Sequence, residues 1–269
     1  MAPRPLAFKY RGTNLGDDIQ TLAMMRLMPE GSDPLFIERD KLARSELTGK
    51  LVLGGWWGHD AKGSLPVPAG IDALPVSMHL NLRMQMYEGT ASLINGTPVG
   101  ARDLSTLEYL RSKGAKDAYF SGCMTLTMAP SNNERSGVIL CDLKPTEDSI
   151  ARSFFPSAKS VSHHVHHLVP HDARRQMAAA LLEQYASAEL VITSRLHAAL
   201  PCVAMGTPVI LCYNPMDPRF TGYGDTLPIV YPKDLDAAIR MQMAAPFERH
   251  DESFRRSEEL RERIIAFLC

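Results

Sequence analysis

A guanidinium and an imidazole one residue apart, Arg195 and His197, stand where the apolar run Leu190-Val191-Ile192 gives way to a helix-length stretch. Cations in the first turn of a helix oppose its macrodipole, so this placement does not serve helix stability. It does suit an anion. Free backbone N–H groups, the helix dipole, a planar fork of donors and an imidazole together form a receptor for phosphate or carboxylate. An imidazole titrating near neutrality can also deliver a proton. The plainer alternative pairs Arg195 with a surface carboxylate and leaves His197 as packing. The flanking buried strands favour the functional reading, because ligands of parallel sheets bind beyond the carboxyl ends of the strands.

Arg102 repeats the arrangement, following a short apolar strand and preceding a helix cap. Two arginines at strand ends could clamp a dianion; otherwise Arg102 pairs with Asp103 or a neighbour. The segment Gly12-Thr13-Asn14-Leu15-Gly16-Asp17-Asp18 could form a backbone nest or a close-packed ligand loop. It lacks the lysine of a Walker loop and the spacing of a dinucleotide fingerprint. Asp17 could orient or deprotonate a substrate hydroxyl, or serve only as the acid of a helix start. Gly54-Gly55 permits close approach of a backbone at a strand end, and Trp56-Trp57 divides into one core residue and one contact face. His79 reads as an interior histidine. Along a strand, Ser162-His163-His164-Val165-His166-His167 would put His164 and His166 on one face and His163 and His167 on another. No adjacent carboxylate or cysteine completes a ligand set, and no metal is expected.

These groups need elements to hold them. Leu190–Ile192 reads as a strand buried on both faces, with Ser194 as the cap of a helix over 196–205 that is stopped by Gly206 and Pro208. A second buried strand, 208–212, completes a βαβ unit. Upstream, strands are expected at 6–10, 34–38, 50–53, 74–80, 98–101 and 118–123, with helices at 19–27 and 104–112, the latter capped by Asp103 or Ser105. The polar stretch Pro130–Gly137 is the linker. Beyond it come strands at 138–143 and 160–165 and helices at 172–186, 233–243 and 252–267. This alternation predicts an α/β protein of two Rossmann-like domains with parallel sheets, 1–130 and 138–269, with a cleft between them.

A chain of 269 residues, 45% hydrophobic and 22% charged, has the composition of a soluble globular protein. Its formal net charge of -1 gives no electrostatic case for nucleic acid. No apolar run reaches membrane-spanning length and MAPRPLAFKYRG has no signal-peptide core, so the expected location is cytoplasmic, with peripheral contact at the inner membrane face as an option. Five cysteines without CxxC spacing read as small core residues in a reducing compartment, with a nucleophilic role for Cys123 as the lesser reading.

The segments NLGDDIQTLA, the Gly-Gly turn, GARDLSTLEYLRSKG, YFSGCMTLT and LVITSRLHAALPCVAMGTPVIL occur in an order that resembles the polysaccharide pyruvyl transferase family over about residues 12–212. The resemblance implies the two-domain architecture of B-type glycosyltransferases. It implies transfer of the enolpyruvyl carbons of phosphoenolpyruvate to sugar hydroxyls of a glycan or lipid-linked oligosaccharide, giving a pyruvate ketal and phosphate, without a further cofactor. On matching positions Arg102, Arg195 and His197 would hold the donor, with Asn14 and Gly55 beside it. His197 would be the general acid, and Asp17 lies in the family's amino-terminal loop. Two other readings stay open: a nucleotide-sugar glycosyltransferase, and a non-catalytic glycan-binding protein.

Overall fold

The computed structural model describes residues 4–93, 98–245 and 247–269. Two compact units emerge. The first comprises Met1–Gly12, Gln20–Met124 and Arg256–Cys269; the second comprises Thr13–Ile19 and Thr125–Arg255. Each unit is discontinuous in sequence, whereas the sequence reading divides the chain once, between residues 130 and 138.

In chain order the elements begin with β1 (Pro5–Lys9), α1 (Gly16–Met25), β2 (Leu35–Glu38), β3 (Gly49–Val52), β4 (Gly55–Trp57) and α2 (Ala61–Ser64). Next come β5 (Ile71–Leu74), β6 (Met78–Leu80), α3 (Leu82–Gln85), β7 (Gly100–Ala101), α4 (Leu104–Ser112) and β8 (Tyr119–Phe120). The remainder is β9 (Val138–Cys141), α5 (Pro145–Phe154), β10 (Lys159–Val161), α6 (His171–Ala186) and β11 (Leu190–Thr193), then α7 (Leu196–Met205), β12 (Val209–Cys212), β13 (Ile229–Val230), α8 (Leu235–Ala244) and α9 (Asp251–Leu268). Every strand pair within these sheets is parallel, so the α/β class with parallel sheets holds.

The first unit carries two four-stranded sheets, ordered β2-β1-β3-β5 and β4-β6-β7-β8. One strand was expected over 74–80. Two are found, because Pro75 and the left-handed Ser77 (φ 57°) break the run and its halves enter different sheets. Leu6, Phe8, Leu51, Trp57 and Leu80 belong to one core, in which Phe8 meets the fully buried Trp57 edge-on at 5.6 Å. Its partner Trp56 is only partly buried and lies 4.6 Å from the His59 ring, so the tryptophan pair divides between core and surface.

The second unit holds one five-stranded sheet ordered β10-β9-β11-β12-β13. Renumbered within the unit this is the order 2-1-3-4-5, whose chain direction across the sheet reverses between β9 and β11. Ligand crevices of doubly wound sheets open at that reversal, outside the carboxyl ends of the two strands. All four residues of β11 and of β12 are buried, as expected of apolar strands covered on both faces. Gly206 ends α7 in the left-handed region (φ 74°). The linker stretch is tied to this helix end: Arg135 Nη2 donates to Met205 O at 3.0 Å and Nη1 to Thr207 Oγ1 at 2.5 Å.

Three sequence expectations need correction here. Helix α1 starts at Gly16, three residues early, since Asp17 and Asp18 suit its first turn. Helix α5 had no sequence counterpart, although Pro145 at its start, Glu147 and Asp148 in its first turn and Arg152 in its last are ordinary helix signals. The strand expected over 160–165 ends at Val161, so two-residue alternation does not describe the histidines that follow.

Candidate active site

Arg195 is not in the first turn of α7, and Ser194 is not its cap. Arg195 itself holds the cap position in extended conformation (φ -107°, ψ 121°), donating its N–H to Thr193 Oγ1 at 2.9 Å. Ser194 is diverted because its hydroxyl donates to Asp142 O at 2.6 Å. The Arg195 side chain, 39% exposed, pairs through Nε with Asp142 Oδ2 at 2.8 Å. Nε is the flank of the guanidinium. Among the described residues no side chain takes Nη1 or Nη2, so the two-pronged end is available to a ligand.

Asp142, which the apolar pattern puts inside a strand over 138–143, follows β9 directly and adopts φ 52°. Its Oδ1 accepts from Ser162 Oγ at 2.6 Å and its Oδ2 from the His163 N–H at 2.9 Å. Burial alone would raise the carboxyl pKa, but these bonds and the Arg195 charge hold it below the usual carboxylate range. Asp142 and Arg195 therefore stand as an ion pair at the carboxyl ends of β9 and β11, where the strand order reverses.

The amino-terminal loop joins the same unit through its backbone. Leu15 N–H donates to His163 O at 2.8 Å and Val165 N–H to Thr13 O at 3.0 Å, making an antiparallel bridge between Asn14 and His164. Asn14 Oδ1 accepts the Gly16 N–H at 3.0 Å, a side-chain turn that opens α1. The buried Arg174 of α6 then anchors the loop, donating to Asn14 O at 3.3 Å and gripping Asp18 at 2.7 Å. Burial nevertheless lifts Asp18 to a pKa of about 6, against the pull of Arg174.

His197, 8% exposed, sits under this loop. A Cβ on Gly16 would lie 2.9 Å from His197 Nδ1, 3.2 Å from its Cβ and 3.3 Å from Asn14 Nδ2. Glycine is thus required at position 16 by close approach, and Asn14, Gly16 and His197 form one contact group. Asp17 is half-buried in the first turn of α1 beside Asp18, where a negative charge also suits the helix dipole. The second unit so gathers four of the sequence-expected residues: Asn14, Asp17, Arg195 and His197.

Arg102 and Gly55 belong to the first unit. Arg102 is 1% exposed at the end of β7, with Nε 3.8 Å from Asp103 Oδ2. Asp103 caps α4 by accepting the Thr106 N–H at 2.9 Å, and its other oxygen lies 2.7 Å from His79 Nδ1. Burial opposes ionisation of Asp103, yet the His79 bond and charge, Arg102 and the Thr106 N–H keep its pKa low. His79 is accordingly an interior histidine with a carboxylate partner. Gly55 has φ 104°, which a side chain rarely adopts, while a Cβ on Gly54 would run into Met124 Cε at 1.7 Å.

Of the histidine run, His163 is buried with Nε2 2.8 Å from Tyr185 Oη, which donates onward to Cys141 Sγ at 3.3 Å. Burial pushes the imidazole pKa down to about 4, so it is neutral at physiological pH. The rings of His166 and His167 approach to 4.3 Å. No group of three or more His, Cys, Asp or Glu that could hold a metal ion occurs among the described residues. All five cysteines are free and four are buried; burial raises the thiol pKa of Cys141 to about 11 and of Cys212 to about 12. Cys123 is fully buried, with Gln20 Oε1 4.0 Å from its sulfur.

Among the described residues no helix is long and apolar enough to cross a membrane. No curated protein matches the sequence. Among solved structures the fold is shared with a UDP-N-acetylglucosamine 2-epimerase of B-type glycosyltransferase-like architecture, at 10% identity and a TM-score of 0.51, covering 97% of this chain and 95% of that one. An uncharacterized protein from Klebsiella pneumoniae subsp. pneumoniae is 14% identical over 85% of this chain and 93% of its own, with a TM-score of 0.49. An S. aureus MnaA–UDP co-structure is 9% identical over 98% and 95%, with a TM-score of 0.47. The family model described as polysaccharide pyruvyl transferase matches residues 14–215, a span that opens at Asn14 and takes in Asp142, Arg195 and His197. The chain belongs to the polysaccharide pyruvyl transferase family.

Proposed function

We propose that the protein moves the enolpyruvyl carbons of phosphoenolpyruvate onto hydroxyls of a glycan or a lipid-linked oligosaccharide, forming a pyruvate ketal. The observation that carries this reading is the open end of Arg195 at the strand-order reversal, next to the amino terminus of α7 and to His197. A guanidinium presented end-on takes a carboxylate or phosphate by two parallel bonds, and a helix amino terminus favours the remaining negative charge.

In this scheme one acceptor hydroxyl adds across the enol double bond. Its oxygen bonds to the central carbon as its proton passes to Asp17, and His197 delivers the proton that turns the methylene into a methyl; the proton held by Asp17 returns to His197 through solvent after turnover. A second hydroxyl then displaces phosphate from the same carbon, and its proton leaves with the phosphate. Asp17 is assigned to orient or deprotonate an attacking hydroxyl. Arg195 stabilises the donor anion throughout, and the scheme draws on no metal or nucleotide. Asn14 is assigned beside the donor because it shares the Gly16–His197 contact. Arg102 and Gly55 enter the donor site on the family resemblance alone. The reaction is placed in the cytoplasm, with peripheral membrane contact where the acceptor is lipid-linked.

The test is incubation of the protein and an acceptor glycan with either phosphoenolpyruvate or labelled nucleotide sugars. Phosphate release and a mass gain on the glycan with phosphoenolpyruvate are expected, and loss of turnover by about 10²–10⁴-fold in folded His197→Ala. Sugar transfer from a nucleotide donor, without phosphate release from phosphoenolpyruvate, overturns the reading.

A further inference from the structure

We infer that Asp142 is a positioning residue that aims the guanidinium of Arg195 and couples it to the loop covering His197. The inference rests on the donor site proposed above.

Three observations meet at this carboxylate. First, Asp142 occupies the left-handed region, which is unfavourable for an ordinary residue and is tolerated by Asp and Asn when the side chain bonds locally. Its two oxygens accept from Ser162 Oγ, the His163 N–H and Arg195 Nε, and its carbonyl accepts from Ser194 Oγ. Strain of this kind persists where the surroundings fix it, and such places are concentrated at functional sites. Second, the carboxylate meets Arg195 on its Nε flank and not across its fork. The exposed pair Arg240–Asp236 is closed by two bonds, from Nε and Nη2, the stronger geometry, whereas Arg195 gives Asp142 its Nε alone. Side-on pairing fixes the guanidinium plane of a side chain that is 39% exposed, and leaves the fork for something else. Third, the His163 N–H held by Asp142 belongs to the segment that bridges Thr13–Leu15, and that loop carries Asn14 and Gly16 against His197. One carboxylate thereby sets both the cation and the cover of the imidazole.

The experiment compares wild type with Asp142→Gly, which adopts the same left-handed backbone but removes both acceptor oxygens. Two readouts are taken: solvent exchange of the Arg195 Nε–H by ¹⁵N NMR, assigned by its absence in Arg195→Lys, and phosphoenolpyruvate binding by calorimetry. Asp142→Gly is expected to lose the exchange protection and to weaken binding about tenfold or more. In the Arg195→Lys background, which has no Nε, the same change is expected to add little. Ser162→Ala removes two exposed bonds, to Asp142 Oδ1 and from the His164 N–H, without disturbing the core and is expected to weaken binding about threefold, so the inference does not hang on one variant folding. An Nε–H signal equally protected in Asp142→Gly, or additive effects of the two substitutions, overturns it. Should wild type fail to bind phosphoenolpyruvate, the donor reading falls on that result, and the Nε–H signal alone decides the role of Asp142.

Discussion

Arg102 and Arg195 occupy matching places in the chain: each stands just beyond the last residues of a short parallel strand and just before a helix. Their surroundings differ in kind. Arg102 is enclosed, 1% exposed beside an aspartate that also caps a helix and holds His79. Arg195 is held by its flank, and its fork is left open. Equivalent positions in a strand–helix junction therefore do not give equivalent exposure. A guanidinium surrounded by protein has little surface left for a ligand, whereas one fixed at a single nitrogen and otherwise open has the geometry that two-bond recognition of an anion requires.

The sharpest way to break this comparison is to truncate both arginines. Arg102→Ala is expected to lower the unfolding free energy by about 3–5 kcal/mol, as removal of one partner from a buried pair does, measured by denaturant titration. Arg195→Ala is expected to cost less than about 1 kcal/mol of stability while weakening phosphoenolpyruvate binding roughly tenfold to a hundredfold. A stably folded Arg102→Ala that had lost donor binding would reverse the contrast and restore the two-arginine clamp that the family resemblance implies.

A smaller effect sharpens the description of the open site. At the first position of α1, Gly16→Ala would ordinarily stabilise a helix by up to about 1 kcal/mol. Here the new Cβ would displace the His197 ring, so turnover is expected to fall about tenfold at little cost in stability. Unchanged turnover would show that the position of the ring does not matter.

The smallest effect is a pH dependence, and its sign follows from the protons bound. Asp18, lifted from 3.8 to about 6, binds its proton more tightly folded than unfolded, so its contribution falls as pH rises through 3.8 to 6 and is level above that. His163, lowered from 6.5 to about 4, works the other way, adding stability as pH rises from 4 to 6.5. Wild type should show little net slope near pH 5 from these two groups, and Asp18→Asn should gain stability more steeply with rising pH. Asp103 and Asp142, both held low, add stability that is present above about 3.8 and is lost as pH falls through their lower folded values, a separate acid window. Denaturant titrations at several pH values separate the terms.

Much of the second unit was legible in the residues. Leu190-Val191-Ile192, Gly206 and Pro208 mark a buried strand, a helix stop and a second strand, and β11, α7 and β12 fall there because burial on both faces demands such runs. Asp142 was hidden by its neighbours: a single acid in the apolar run Val138–Leu143 reads as a blemish in a strand, though a charge at that point is also the mark of a strand end. The buried pair of Asp18 with Arg174 could not be read at all, since its partners lie 156 residues apart and each alone looks like a surface charge.

The sequence by itself determined the class of fold, the strand–helix junction carrying Arg195 and His197 and the family, because periodicity, breakers and ordered segments are properties of the chain. Tertiary structure decided which of the two junction arginines opens outward, that Asn14 and Gly16 join the second unit over His197, and that Asp142 fixes Arg195. Those depend on hydrogen bonds between residues far apart in sequence, and local pattern does not encode which distant donor will meet which acceptor.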